Sequence, residues 1–308
     1  MARKISVIGA GNVGASLAQR LVEKDFADIV LLDIVAGLPQ GKALDIYQSS
    51  PITDFSSKIT GTNDYQDTAG SDVVIITSGI GRKPGMTRDE LLEINVKIVS
   101  EVTWNVTRYS PGCIIIVVTN PVDTMTYLSL KVSGFTPGRV VGLSGVLDSA
   151  RFSTFIAAEL DVSLGEVSAF VLGEHGRNMV VIPRLATVNG KPITELLTKE
   201  TINRLVERTI NGGAEIVSLL KTGSAFYAPA AAAACMVEAI IQDKKEILPC
   251  AAYLKGEYGI KDVVIGVPVK LGKNGIEEII EFDLTLEEKE ALQNSAGAVR
   301  KLINSIGI

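Results

Sequence analysis

The opening stretch constrains the fold more than any other. An apolar run at residues 4–8 leads straight into Gly9-Ala10-Gly11-Asn12-Val13-Gly14, and a helical pattern over residues 12–24 follows. Glycine at the first, third and sixth places of that hexapeptide suits a strand that turns sharply into a helix. The first permits the turn, the second lets backbone approach a pyrophosphate, and the third lets helix and strand pack closely. The unsatisfied N–H groups of the helix N-terminus then receive phosphate charge. A second strand at residues 29–32 ends on Asp33, about twenty residues past the glycines, where a carboxylate hydrogen-bonds the adenosine ribose diol. Ile34, Val35, Ala36 and Gly37 follow, all neutral, so no adjacent cation awaits a 2′-phosphate. The stretch predicts a site for NAD rather than NADP, with Gly9, Gly11, Asn12, Val13, Gly14 and Asp33 around the cofactor.

The same rhythm continues. A helix near residues 40–48 and a strand near 58–60 precede Val73-Val74-Ile75-Ile76-Thr77 and Ile114-Ile115-Ile116-Val117-Val118. Such continuous β-branched runs belong to strands covered on both faces. A long helix over residues 88–109 lies between them, and a helix at 122–131 precedes Val140-Val141-Gly142. Strand–helix alternation predicts an α/β fold, a Rossmann-type doubly wound parallel sheet with right-handed crossovers.

After about Gly145 the pattern changes. A helix at 147–160, an apolar strand at 167–172, and short strands around 186–192 precede two helices at 201–220 and 229–242. A Gly212-Gly213 pair is expected to bend the first of these. Strands at 251–255, 263–271 and 275–281 follow, then a helix at 285–304 capped by Thr285 with Glu288 three residues on. This half reads as α+β with antiparallel strands. A chain of 308 residues exceeds what one core usually serves. Two domains are expected: residues 1–145 for NAD, and residues 146–308 for catalysis and substrate.

A net charge of −5 argues against nucleic acid or an acidic membrane as the main partner. Cys113, Cys235 and Cys250 are widely spaced, form no C-x-x-C, and read as buried free thiols in a reducing cytoplasm. The opening residues read as a strand rather than as a signal peptide. No apolar run reaches the ~18 residues of a membrane helix, and no metal-binding cluster is evident.

The chemistry reads from a single histidine, His175, between Gly173 and Gly176. Histidine alone has an unperturbed pKa that lets it take and give a proton near neutrality. A glycine-rich segment, residues 79–88, follows the fourth strand at the edge where open α/β sheets bind ligands. It carries Arg82, Lys83 and Arg88 and has the composition of a closing lid. Thr119-Asn120-Pro121-Val122-Asp123 ends the fifth strand at the same edge, and Asp148 and Arg151 stand three apart on one helix face. Together these residues supply a proton carrier, a carboxylate to orient it, and arginines for an anionic substrate.

In this order and spacing the motifs resemble the NAD-dependent lactate/malate dehydrogenase family along essentially the whole chain, and within it the malate branch. The resemblance implies that His175 accepts the hydroxyl proton of a 2-hydroxy acid, held in its tautomer by Asp148. It implies that Arg151 grips the C1 carboxylate, that Arg88 polarises the C2 carbonyl, and that Asn120 bonds near the same oxygen. Asn95, Thr119 and Asn120 join the cofactor contacts. Arg82 stands where the lactate branch commonly has glutamine, and malate presents a second carboxylate there. Burying that charge unpaired costs several kcal/mol, so a dianion needs the extra guanidinium. The expected substrate is thus a small dicarboxylate, malate or oxaloacetate, in a homodimer or homotetramer of the tricarboxylic acid cycle. A dehydrogenase of lactate or another 2-hydroxy acid is the alternative, and a non-catalytic NAD-sensing module is one of another class. The chain departs from the family pattern at Gly81, Glu174 and Arg177.

Overall fold

A computed structural model describes residues 3–81 and 85–307. The first half runs β1 (Lys4–Ile8), α1 (Asn12–Val22), β2 (Asp28–Leu32), α2 (Leu38–Gln48), α3 (Ser50–Thr53), β3 (Ile59–Thr62), β4 (Val73–Ile76), α4 (Arg88–Tyr109), β5 (Ile114–Val117), α5 (Val122–Ser133) and β6 (Val140–Gly142). These strands pair in the order β3-β2-β1-β4-β5-β6, every pair parallel.

The continuous apolar runs are explained by the two-residue period of a strand. Ile5, Val7, Val73, Ile75, Ile114 and Ile116 point to one face, where they pack with Leu17 and Leu21 of α1. Ile8, Val74, Ile76, Ile115 and Val117 point to the other, against Val99, Val102 and Val106 of α4 and Met125 and Leu128 of α5. With helices on both faces there is no polar side for these strands to present.

The second half comprises α6 (Gly145–Leu160), β7 (Val167–Ser168), β8 (Val171–Gly173), β9 (Met179–Val181), β10 (Thr187–Val188), β11 (Lys191–Pro192), α7 (Lys199–Leu220), α8 (Tyr227–Ile241), β12 (Glu246–Lys255), β13 (Lys261–Gly272), β14 (Gly275–Ile279) and α9 (Leu286–Ser305). Five of its strands extend the parallel sheet, and the other three build a small separate one. β12 joins β6 antiparallel through Ala251 opposite Gly142, and β13, β8 and β9 follow, with β14 on β13. Over the described residues this makes an 11-stranded sheet, beside a 3-stranded one of β11, β10 and β7.

Two expectations need correction. The apolar run at residues 167–172 is not one strand: β7 lies in the small sheet and β8 in the large one. The break falls at Ala169 and Phe170, and Phe170 packs edge-on against Phe282 at 5.0 Å. Nor do Gly212 and Gly213 interrupt their helix, because α7 runs through both. They make room instead. A Cβ at residue 212 would stand 3.3 Å from Arg151 Cδ, and one at residue 213 would stand 3.7 Å from Arg151 Nη2.

The alanine-rich α8 packs on α1 and buries Ala230, Ala233 and Ala234. At α9 the cap forms as its sequence suggests, Glu288 N donating to Thr285 Oγ1 at 3.2 Å and Thr285 N to Glu288 Oε2 at 2.9 Å. Burial raises the thiol pKa of all three cysteines, that of Cys113 to about 12. Among the described residues no helix is long and apolar enough to cross a membrane.

Candidate active site

At the β1–α1 turn the glycines are required by contact. A Cβ on Gly14 would lie 1.8 Å from the Gly9 carbonyl oxygen, and one on Gly9 would lie 2.8 Å from Ser78 N. Gly11 is different: its missing side chain faces open space, and it caps α1 with no side-chain hydrogen bond. The first N–H groups of the helix therefore meet an uncrowded concavity, which fits a pyrophosphate. Asn12 is exposed at the start of the helix, and Val13 beside it lines the cavity described below.

Asp33 sits at the end of β2 with its carboxylate already oriented. Oδ2 accepts from Ala10 N at 2.6 Å and Oδ1 from Val35 N at 3.0 Å, which leaves each oxygen a lone pair for a diol. Ile34 and Val35 beyond it are 88% and 54% exposed, an apolar surface of the kind a nucleobase covers. The fold adds one polar neighbour. Lys42 of α2 donates to the Ala10 carbonyl at 2.7 Å, so a cation reaches the glycine turn although residues 34–37 carry none. It comes from the next helix, and reading only the residues that follow Asp33 misses it.

Asn95 and Thr119, expected among the cofactor contacts, lie beside the carboxyl ends of β4 and β5 and tie their loops together. Asn95 is buried; its Oδ1 accepts from Ile80 N at 2.9 Å, and its Nδ2 donates to the carbonyls of Ile80 at 3.2 Å and Asn120 at 2.8 Å. Both amide hydrogens are thus spent on joining the loop after β4 to the end of β5. Thr119 Oγ1 donates to the Ser78 carbonyl at 2.6 Å. Asn120 is exposed and lines the cavity. Arg82 and Lys83 lie outside the described residues. Arg88 is placed by its backbone as the first residue of α4, whose start is fixed by a reciprocal cap between Thr87 and Glu90.

A cavity of about 350 Å³ between the two halves of the chain brings the candidate catalytic residues together. Val13, Val118 and Asn120 close one side; Arg151, His175, Ile210, Gly213, Ser224 and Ala225 close the other. Asp148, only 1% exposed on α6, organises it. His175 Nδ1 is 2.7 Å from Asp148 Oδ2, and Arg151 Nη1 donates to Asp148 Oδ1 at 3.0 Å. An ionised carboxylate only accepts, so Nδ1 carries the hydrogen and Nε2 is left to exchange a proton. Burial pulls the His175 pKa down, but the charge and hydrogen bond of Asp148 outweigh it, and the net shift is upward. Arg151 Nε is buried without a partner. A guanidinium with unspent donors facing a cavity is suited to a carboxylate.

The turn bearing His175 is pinned from beneath. Glu174 N donates to Ser295 Oγ of α9 at 2.7 Å, and His175 N donates to Asp123 Oδ2 of α5 at 2.9 Å. Ser295 is not expected at the site from sequence, and Asp123 is expected there only as the end of the segment that closes the fifth strand. The signal for Asp123 lies in its motif, three residues after Asn120; nothing local marks Ser295. Of the two departures beside the histidine, Glu174 is tied by a short hydrogen bond from Asn178, and Arg177 is exposed. Among the described residues no group of histidine, cysteine, aspartate or glutamate is arranged to hold a metal ion.

A phosphate-ready glycine turn that shares a cavity wall with one carboxylate-tethered histidine defines a dinucleotide-dependent dehydrogenase. Comparison with known proteins narrows the class. Residues 3–142 match the lactate/malate dehydrogenase NAD binding domain, and residues 145–307 match the alpha/beta C-terminal domain of the same proteins. The chain belongs to the lactate/malate dehydrogenase family, and its cofactor is NAD. It is 59% identical to a malate dehydrogenase of Dehalococcoides mccartyi over 305 residues, 99% of each chain. Among solved structures, the malate dehydrogenase of Salinibacter ruber superposes with a TM-score of 0.95 at 52% identity, covering 98% of this chain and 97% of that one. A Cryptosporidium parvum lactate dehydrogenase, solved with lactic acid and nicotinamide adenine dinucleotide, gives 0.96 at 44% identity, over 99% and 98%. Backbone shape is therefore shared across the two substrates.

Proposed function

We propose that this chain interconverts (S)-malate and oxaloacetate with NAD. One observation carries the reading: a single buried carboxylate, Asp148, holds His175 on one oxygen at 2.7 Å and Arg151 on the other at 3.0 Å. Proton carrier and carboxylate clamp are thereby set at a fixed separation, as catalysis by orientation requires. Bound NAD supplies the acceptor for the hydride leaving C2 of malate.

The residues do the rest. His175 Nε2 takes the hydroxyl proton, and Asp148 stabilises the imidazolium that results. Arg151 holds the C1 carboxylate through its unspent donors. Asn120 hydrogen-bonds near the C2 oxygen, and Arg88, at the head of α4, polarises the carbonyl in the reverse direction. Arg82 meets the second carboxylate. Closing the lid over the methyl of pyruvate would leave that guanidinium without a partner, and such mismatches discriminate by about 10⁴-fold or more. The malate dehydrogenase relatives support the same substrate. Around the cofactor, Gly9, Gly11, Asn12, Val13 and Gly14 form the turn that receives the pyrophosphate, Asp33 takes the ribose diol, and Asn95, Thr119 and Asn120 complete the edge.

The chain divides functionally near residue 145, with NAD held by the first part and the proton chemistry by the second. Exposed apolar side chains on α2 (Leu44, Tyr47) and α7 (Val217, Leu219, Leu220) support assembly into a homodimer or homotetramer. Free thiols fit a cytoplasmic enzyme, and the reaction would place it in the tricarboxylic acid cycle. The test is NADH oxidation with oxaloacetate against pyruvate. Oxaloacetate is expected to be preferred, with the preference falling or reversing in Arg82→Gln. A parent protein that prefers pyruvate would overturn the assignment.

A further inference from the structure

The catalytic cavity lies at the carboxyl edge of the parallel sheet, beside Val118 and Asn120. At the amino edge lies a second cavity, of about 440 Å³, larger than the catalytic one. It is built from residues that lead into the parallel strands: Arg3 before β1, Asp72 before β4 and Arg139 before β6. The second half of the chain completes it with Lys273 and Asn274, at the turn between β13 and β14, and with the end of α8.

Three cations and one carboxylate line this cavity, a local excess of positive charge in a chain whose net charge is −5. Arg139 is the fixed member. Its guanidinium lies over the Phe135 ring at 3.8 Å, with Nε donating to the Cys113 carbonyl at 3.0 Å and Nη2 to the Pro111 carbonyl at 2.7 Å. Neutral carbonyls hold it in place without cancelling its charge, and Nη1 remains for a ligand. Among the described residues the side chains of Arg3 and Lys273 have no hydrogen-bond or ion-pair partner. The carboxylates nearby are engaged with other groups. Asp72 Oδ2 accepts from Lys4 N at 2.9 Å. Asp243 and Glu277, outside the lining, accept from Lys273 N and Asn274 Nδ2, each at 3.0 Å.

Cations gathered in one concavity repel one another and concentrate counter-ions there. These three arrive from three separate segments. That suits phosphate oxygens, which accept from several directions, better than a planar carboxylate, which a single guanidinium fork satisfies. We propose that this cavity is a second anion site, for the phosphate groups of inorganic pyrophosphate or of a phosphorylated metabolite. Arg139 is the preset donor, and Arg3 and Lys273 complete the binding. Because the lining comes from both halves of the chain, a bound anion ties the start of the parallel sheet to the β13–β14 turn and stabilises the folded chain. The site is separate from His175 and independent of which 2-hydroxy acid the chain oxidises.

The probe is sodium pyrophosphate, titrated calorimetrically at low ionic strength into protein saturated with NADH, so that the glycine turn is already occupied. One pyrophosphate per chain is expected, with a rise in melting temperature. ADP in place of pyrophosphate separates the two sources. Tighter binding of ADP assigns the site to the phosphate end of a metabolite, and equal or weaker binding assigns it to the inorganic anion. Arg3→Met/Lys273→Met removes two side chains that hold no other group among the described residues. It should weaken binding by about tenfold or more, the worth of charged hydrogen bonds, and leave kcat unchanged. Failure of both anions to bind, or binding unchanged in the double variant, would overturn the proposal. So would binding lost in Arg151→Ala instead, which would put the anion in the catalytic cavity. Equal weakening by Lys199→Met/Lys289→Met, two exposed lysines outside the lining, would reduce the effect to general surface charge and overturn it too.

Discussion

The two ends of the cavity are built by opposite means. The nucleotide end is local: Gly9 to Asp33 span one β–α–β unit, and what they offer is mostly backbone N–H groups and one pre-bonded carboxylate. The chemistry end is gathered from Asn120, Asp148, Arg151, His175 and the wall of α7, and at its centre are an imidazole and a guanidinium paired to one buried carboxylate. The contrast follows from the tasks. A pyrophosphate is met by donors that every peptide unit carries, provided no Cβ intrudes. A proton transfer needs a side chain whose pKa is set by its neighbours, and those neighbours must come from elsewhere in the fold.

If the ends are separable, damage to one should leave the other working. The largest effect is expected at the histidine. His175→Asn should lower turnover of oxaloacetate by about 10²–10⁴-fold, the usual worth of a general acid–base group. NADH affinity, read by fluorescence, should stay within about twofold. A smaller and opposite split is expected for Gly14→Ala. Its Cβ would fall 1.8 Å from the Gly9 carbonyl oxygen, and relief of such overpacking costs about 1–3 kcal/mol. Melting temperature and NADH affinity should both fall, with kcat at saturating NADH less affected than KM for NADH.

The gentlest probe is pH. In its proposed role His175 must be neutral to accept the proton of malate, and its pKa is raised above the ordinary imidazole value. Malate oxidation should therefore fall off as pH drops through that raised value, with an acid limb above the ~6.5 of a free imidazole. Oxaloacetate reduction needs the protonated ring, so its kcat/KM should hold below that value and decline above it. NADH affinity should stay flat across the same range; if it followed the imidazole, the two ends would be coupled.

The same contrast explains how much of the molecule is legible in the chain alone. The glycine turn, Asp33 and the parallel strands are written in contiguous residues, and they lie where periodicity and spacing put them. Asp148 and Arg151 are legible as neighbours on one helix, but only the fold brings Asp148 to His175. Gly212 and Gly213 read as a bend because sequence shows a glycine's flexibility and hides what passes over it; here that is Arg151. Lys42 and Ser295 reach their places from helices remote in sequence from the residues they serve. The run at residues 167–172 reads as one strand because hydrophobicity alone does not say which sheet a strand joins.

Each end has one carboxylate at its centre, and matched substitutions there test the division most directly. NADH affinity and kcat for oxaloacetate would be measured for Asp33→Asn and Asp148→Asn side by side. Asp33→Asn is expected to weaken NADH by about tenfold, the worth of one charged hydrogen bond, and to keep most of kcat at saturation. Asp148→Asn should keep NADH affinity and lose about 10³-fold or more in kcat, as when a histidine loses its orienting acid. If both variants lost affinity and turnover together, or if Asp148→Asn retained its kcat, the division between a backbone-built cofactor end and a side-chain-built chemistry end would be wrong.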